Sequence, residues 1–197
     1  MIGLLSICCE ICKKGEKNMN NILVLTEKKF TENKIKEALP KVNCMSIEGH
    51  AYTSDEKDFL KVPQEMLDNS PCYYYKDKKG VEEPVHILGA ERINENCEKI
   101  LEFLKDIDSD IDTIINACDF DKNGSYLFKY AIEDVMNLND KQYIFKRMKL
   151  MDLTSDSIVS AFNNVFQKNK LTIAAVGKGM TFRKKISQIL DSEIKND

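Results

Sequence analysis

The segment DTIINACDFDKNG (residues 112–124) decides how this chain is read. Its first half, DTIINA, is an apolar segment, the pattern of a buried strand in a parallel sheet. The second half sets Asp119 and Asp121 one residue apart, just before Gly124, where a strand hands over to a helix. In extended backbone the two carboxylates would face the same side and could offer oxygen to one hard cation such as magnesium. Asp-x-Asp before glycine is equally a common turn composition, because aspartate side chains bond nearby backbone N–H groups. On this stretch alone both readings stand.

Working outward, NILVLT (residues 21–26) predicts a first buried strand, and EKKFTENKIKEALP a helix with Thr31 as N-cap and Pro40 as its stop. Residues 41–47 predict a second strand, with Glu48-Gly49-His50 as the turn leaving it. Residues 51–89 lose clear period and are punctuated by Pro63, Pro71 and Pro84; YYYKDKKGVEEPVHIL predicts two strands joined by a Lys-Gly turn, an insertion or an edge hairpin. Ile93, Cys97, Ile100, Leu101 and Leu104 fall on one face of a helix. After Gly124, SYLFKYAIEDVM predicts the next helix, then residues 143–150 a strand, and LTSD a helix entry into SIVSAFNNVF. A tail with LTIAAV, GKG and TFRKKISQILDSEI predicts one more strand and helix. Strand and helix alternate, so the expected fold is α/β with a mainly parallel central sheet flanked by helices. Residues 1–18 are expected to be a leader outside the folded unit, residues 19–168 the domain, and residues 169–197 an appendage.

Composition narrows the function classes. A net charge of -3 excludes a strongly basic, histone-like binder, so nucleic-acid affinity would need a local patch or a partner chain. Seven cysteines, an odd number and irregularly spaced, fit a reduced cytoplasmic protein better than a disulfide framework. The N-terminal apolar run is interrupted by Glu10, followed rather than preceded by lysines, and too short to span a bilayer; no membrane association is expected. Cys8, Cys9 and Cys12 lack the second ligand pair of a structural zinc site.

In an open parallel sheet, ligands bind beyond the carboxyl ends of the strands. Two such ends here are charged: Glu27-Lys28 after the first strand, and Asp119 to Asp121 after the later one. If those strands are neighbours, the three carboxylates converge. Glu27 would then sit in strong negative potential, which suits a general acid or base. Lys28 and Lys122 are positioned to touch phosphate, and His50 to orient Glu27 or a phosphate oxygen, although a solvated turn explains His50 equally well. His86 in the apolar PVHIL is assigned to packing, the RKK at 183–185 to a solvated helix face, and GKGM lacks the spacing of a Walker loop.

The order of these pieces resembles the Toprim domain shared by topoisomerases, primases and related nucleases, and within it the type IA topoisomerases. The family's Glu-Lys-Pro-Ser sequence after the first strand is matched at Glu27 and Lys28, with Lys29-Phe30 replacing Pro-Ser. Gly49-His50 matches the family's Gly-His pair. Its Asp-Pro-Asp-Arg-Glu-Gly motif is matched at Asp119, Asp121 and Gly124, while Lys122 replaces Arg and Asn123 replaces the third acid. KRMKLMDLTSDSIVSAFNNV resembles the family's Arg-rich strand leading to Leu-Thr and a helix. The resemblance implies a Toprim, Rossmann-like fold, Mg2+ at Asp119 and Asp121, Glu27 and Lys28 as catalytic groups, and Lys122 and His50 at DNA phosphate. It also implies single-stranded DNA as substrate. The family's nucleophilic tyrosine lies in a downstream domain for which this sequence is expected to have no room, so a tyrosine-domain topoisomerase subunit or another replication protein is the implied partner. The tyrosines at 73, 74, 75, 126, 130 and 143 are expected to pack rather than react. Lys122 keeps charge but not bidentate phosphate binding, and Asn123 weakens the acid set, which leaves a silent DNA- or protein-binding module as the alternative.

Overall fold

Five consecutive apolar or β-branched residues, ILVLT, are buried without a break in β1 (Ile22–Thr26), as a central parallel strand requires. The structure is a computed structural model and describes residues 19–53, 62–76, 82–106, 111–138 and 143–167. The expected leader with Cys8, Cys9 and Cys12, the Lys-Gly turn, and the tail with GKG and RKK lie outside those residues. Chain order continues through α1 (Lys29–Ala38), β2 (Asn43–Ser46), β3 (His50–Thr53), the short α2 (Gln64–Asp68), β4 (Cys72–Lys76), β5 (Glu82–Leu88) and α3 (Ala90–Asp106). It closes with β6 (Thr113–Asn116), α4 (Lys122–Lys129), β7 (Ile144–Arg147) and α5 (Ser155–Gln167).

The four parallel strands run in the order β2-β1-β6-β7. Alternation along each strand divides the core into two layers. Ile22, Val24 and Ile115 pack with Ile35 of α1, Leu39 at its C-cap, and Ile158, Phe162 and Val165 of α5. Leu23, Leu25 and Ile114 pack on the other side with α3, α4 and a second sheet. That second sheet is antiparallel, in the order β3-β5-β4, and turns Ala51, Val85 and Ile87 into the same core. The fold is therefore α/β with a parallel central sheet flanked by helices, as its alternating pattern predicts. Among the described residues, no helix is long and apolar enough to cross a membrane.

Four local expectations are corrected. His50 does not end a turn but begins β3, because its neighbour Ala51 is drawn into the core and pairs with Ile87. Residues 51–89 are more than an edge hairpin: β4 and β5 pair as expected, but β3 joins them into a sheet of its own. Thr31 is not the N-cap of α1; Lys28 holds that position and Thr31 is buried inside the first turns. The helix expected after Gly124 starts earlier, at Lys122, and continues as a π-helical turn over Tyr130–Val135.

Tyr73, Tyr126, Tyr130 and Tyr143 pack as expected. Tyr126 and Tyr130 are buried, Tyr73 lies 5.0 Å from Tyr130 between ring centroids, and Tyr143 sits edge-on to Phe145. Tyr74, on the outer face of the antiparallel sheet, is instead exposed. Cys44, Cys97 and Cys118 are buried free thiols, and burial pushes Cys97 up to about 12. His86 shares a hydrogen bond of 3.0 Å with the Ser70 hydroxyl.

Candidate functional site

β1 lies between β2 and β6, and the helices that follow β1 and β6 leave to opposite faces of the sheet. This is a topological switch point, where the diverging loops open a crevice beyond the strand ends. Glu27-Lys28 and the loop 117–121 both emerge there. The expected adjacency of the two charged strand ends thus holds, with Leu25 opposite Asn116 in register.

Glu27 is fixed by its backbone and then by its side chain. Its carbonyl accepts the Glu48 N–H at 2.9 Å, which extends the pairing of β1 with β2 past the strand end. Glu48 adopts a φ of 60°, a left-handed conformation that turns the chain sharply into β3. Gly49 follows because a Cβ there would lie 2.3 Å from Ile93 Cδ1. The turn brings His50 back over the first strand, and its Nδ1–H donates to Glu27 Oε1 at 2.8 Å. That hydrogen bond to a carboxylate raises the His50 pKa above its ordinary value, against the opposing effect of partial burial.

Lys28 links the two strand ends. Its ammonium donates to Asp119 Oδ2 at 2.5 Å and stands 3.8 Å from Glu27 Oε1. The Asp119 bond is the main reason its pKa is raised; partial desolvation opposes it, and Glu27 and Asp121 add attraction. Both side chains of the Lys28–Asp119 pair are about half exposed, so it contributes on the order of 0–1 kcal/mol to stability. Its interest is positional: one cation already bridges the carboxylates of both loops.

Asp119 and Asp121 do not continue the β6 strand, which ends at Asn116. Asp121 is the N-cap of α4, and its Oδ1 accepts the Gly124 N–H at 2.7 Å. Glycine is needed at 124, inside the first turn, because a Cβ there would lie 2.2 Å from the Asp119 carbonyl oxygen. The turn and the charged corner are therefore one construction. Lys122 points its ammonium at the Tyr126 ring, 5.9 Å from the centroid, and Asn123 is half-buried in the first turn.

Among the described residues, no three His, Cys, Asp or Glu side chains group closely enough to hold a metal ion by themselves. The donors are nevertheless of the right chemistry for magnesium. Asp119 uses Oδ2 and Asp121 uses Oδ1 in the bonds above, and the other oxygen of each is a hard ligand. Two carboxylates suit a cation that keeps several waters and completes its shell with phosphate oxygens.

Arg147 was not singled out by sequence reasoning. Its Nη2 donates to the Asp119 carbonyl at 2.5 Å and clamps the acidic loop to the end of β7. The available signal was its place at the carboxyl end of a third parallel strand, opposite Asn116 in register. A buried Asn116 whose Oδ1 accepts the Cys118 N–H at 3.0 Å shapes the same loop and was likewise missed.

The acidic and basic side chains are gathered where doubly wound α/β domains bind their ligands, beyond the strand ends at the switch point. Residues 22–153 match the Toprim domain family, and the chain belongs to it. Toprim domains occur in DNA topoisomerases, primases and nucleases, where they act on nucleic acid and typically bind a metal ion. Compared with curated proteins, the chain has no significant match.

Proposed function

We propose that the corner made by Glu27, Lys28, His50, Asp119 and Asp121 carries out magnesium-assisted chemistry on a DNA phosphodiester in the manner of a type IA topoisomerase, with a partner subunit supplying the tyrosine. The observation that carries this reading is the Lys28 ammonium, which joins Glu27 of one loop to Asp119 of the other. Magnesium held by Asp119 and Asp121 would neutralise charge on the phosphate oxygens. Glu27 moves a proton at the reacting phosphodiester, and the Nδ1–H of His50 holds its carboxylate in one orientation. Lys28, freed from Asp119, meets the phosphate as a point charge.

A second reading, a silent DNA- or protein-binding module, is favoured by two features. Asp121 is already engaged as a helix cap, and Asn123 supplies no charge where the family motif has its third acid. Binding of a labelled single-stranded oligonucleotide, measured with magnesium and with EDTA, separates the two. Active chemistry predicts tighter binding with magnesium and loss of that difference in the Asp119→Ala, Asp121→Ala double variant. Equal binding under both conditions, unchanged in the double variant, would leave the silent module.

A further inference from the structure

Beyond the acidic corner, the end of β7 carries a basic and aromatic group that the reading above does not use. In the sequence KRMK, Lys146 and Arg147 close β7 and Lys149 follows two residues after its end. Lys146 reaches the α5 side, where its ammonium lies 4.7 Å from the centroid of the Phe166 ring. Arg147 and Lys149 meet at Phe120, the residue between the two aspartates. The Lys149 ammonium is 4.2 Å from the centroid of the Phe120 ring, and the Arg147 guanidinium carbon is 5.3 Å from it. Two like charges are thus held against one ring, within reach of its negative face. Among the described residues, neither is paired with a carboxylate.

Arg147 adds a second observation at the same place. Its Nη2 is committed to the Asp119 carbonyl, but Nε and Nη1 are shielded from solvent and find no acceptor among the described residues. Shielded donors without partners are rare, and among the described residues no acceptor meets these two. In a chain of net charge -3, this is the kind of local patch through which a polyanion could be held.

We propose that Phe120, Arg147 and Lys149 form a backbone-phosphate clamp for single-stranded nucleic acid, lying beside the acidic corner on the β7 side. The proposal rests on the phosphodiester reading of that corner but uses different residues. Lys149 is the exposed cation that meets phosphate. Arg147 is a positioning residue, tied to the acidic loop. Phe120 holds both charges in place and offers an edge to a neighbouring base, as aromatic residues do in single-strand grooves.

The test is the salt dependence of binding of a labelled single-stranded oligonucleotide, with EDTA present so that metal plays no part. Removing one phosphate contact lowers the slope of log affinity against log salt by about 0.7. Lys149→Ala should lower it by that amount, and Phe120→Ala should weaken binding by about tenfold, with Phe120→Leu falling between wild type and Phe120→Ala. Lys149 is exposed, so its variant keeps the fold. An unchanged slope and affinity in Lys149→Ala would overturn the clamp. So would competition by inorganic phosphate stronger than that of chloride at equal ionic strength, which would make the ligand a small anion, or equal Lys149 dependence for duplex. Because these readings omit magnesium, a changed slope supports the clamp even where the metal-dependent reading fails, and magnesium-dependent binding with an unchanged slope supports that reading while overturning the clamp.

Discussion

The two sheets of this domain solve the same burial problem differently. In the parallel sheet, β1 and β6 are covered on both faces, so ILVLT and TIIN are apolar or β-branched almost throughout. In the antiparallel sheet one face is covered and the other is not: Ala51, Val85 and Ile87 point inward, whereas Tyr74 stays exposed. A parallel sheet has diverging loops at its strand ends and so carries the charged corner; the antiparallel sheet lends that corner His50, from its first residue. The scaffold and the orienting group therefore come from different sheets, and they can be perturbed separately.

The largest expected effect lies where both sheets depend on one residue. Leu25 is fully buried in the layer between them, and Leu25→Ala should cost about 2–5 kcal/mol in urea unfolding. Gly124→Ala tests whether the turn and the corner are one construction. A Cβ there meets backbone rather than a flexible side chain, so a loss of about 1–3 kcal/mol is expected, with displaced NMR signals at Asp119. The paired aspartates should then separate by role. Asp121→Ala removes an N-cap and should cost about 1 kcal/mol, whereas Asp119→Ala breaks an exposed ion pair and should cost less. Equal losses would deny the distinction.

The smallest effect is the one the antiparallel sheet contributes. The His50 pKa is raised in the fold, so its bond to Glu27 stabilises fully below the ordinary histidine value of about 6.5 and fades as pH rises through the higher folded value. Between roughly pH 6 and 8 the wild type should lose up to about 0.5 kcal/mol relative to His50→Gln, the small size reflecting solvent screening of an exposed ring. A flat difference across that window would remove the proposed coupling of the two sheets at Glu27.

Legibility in the sequence followed burial. Strands covered on both faces announced themselves as apolar runs, and the helices by their period. His50 was misread because a strand of four residues that begins directly after Glu48-Gly49 looks like a continuation of that turn. Asp119 and Asp121 looked equivalent because their spacing is symmetric; only the start of α4 at Lys122 makes one of them a cap. Arg147 escaped notice because it binds a backbone carbonyl 28 positions away, and no side-chain pattern marks such a bond. The convergence of Glu27, Lys28 and Asp119 was legible once the strands that carry them were taken as neighbours.

The central claim is that the Asp119–Asp121 corner exchanges its internal Lys28 cation for magnesium. A magnesium titration followed by NMR on the intact chain tests it most directly. The account predicts saturable shifts at Lys28, Asp119 and Asp121 that vanish in the Asp119→Ala, Asp121→Ala variant. Absence of binding in the wild type, or identical shifts in the double variant, would contradict it.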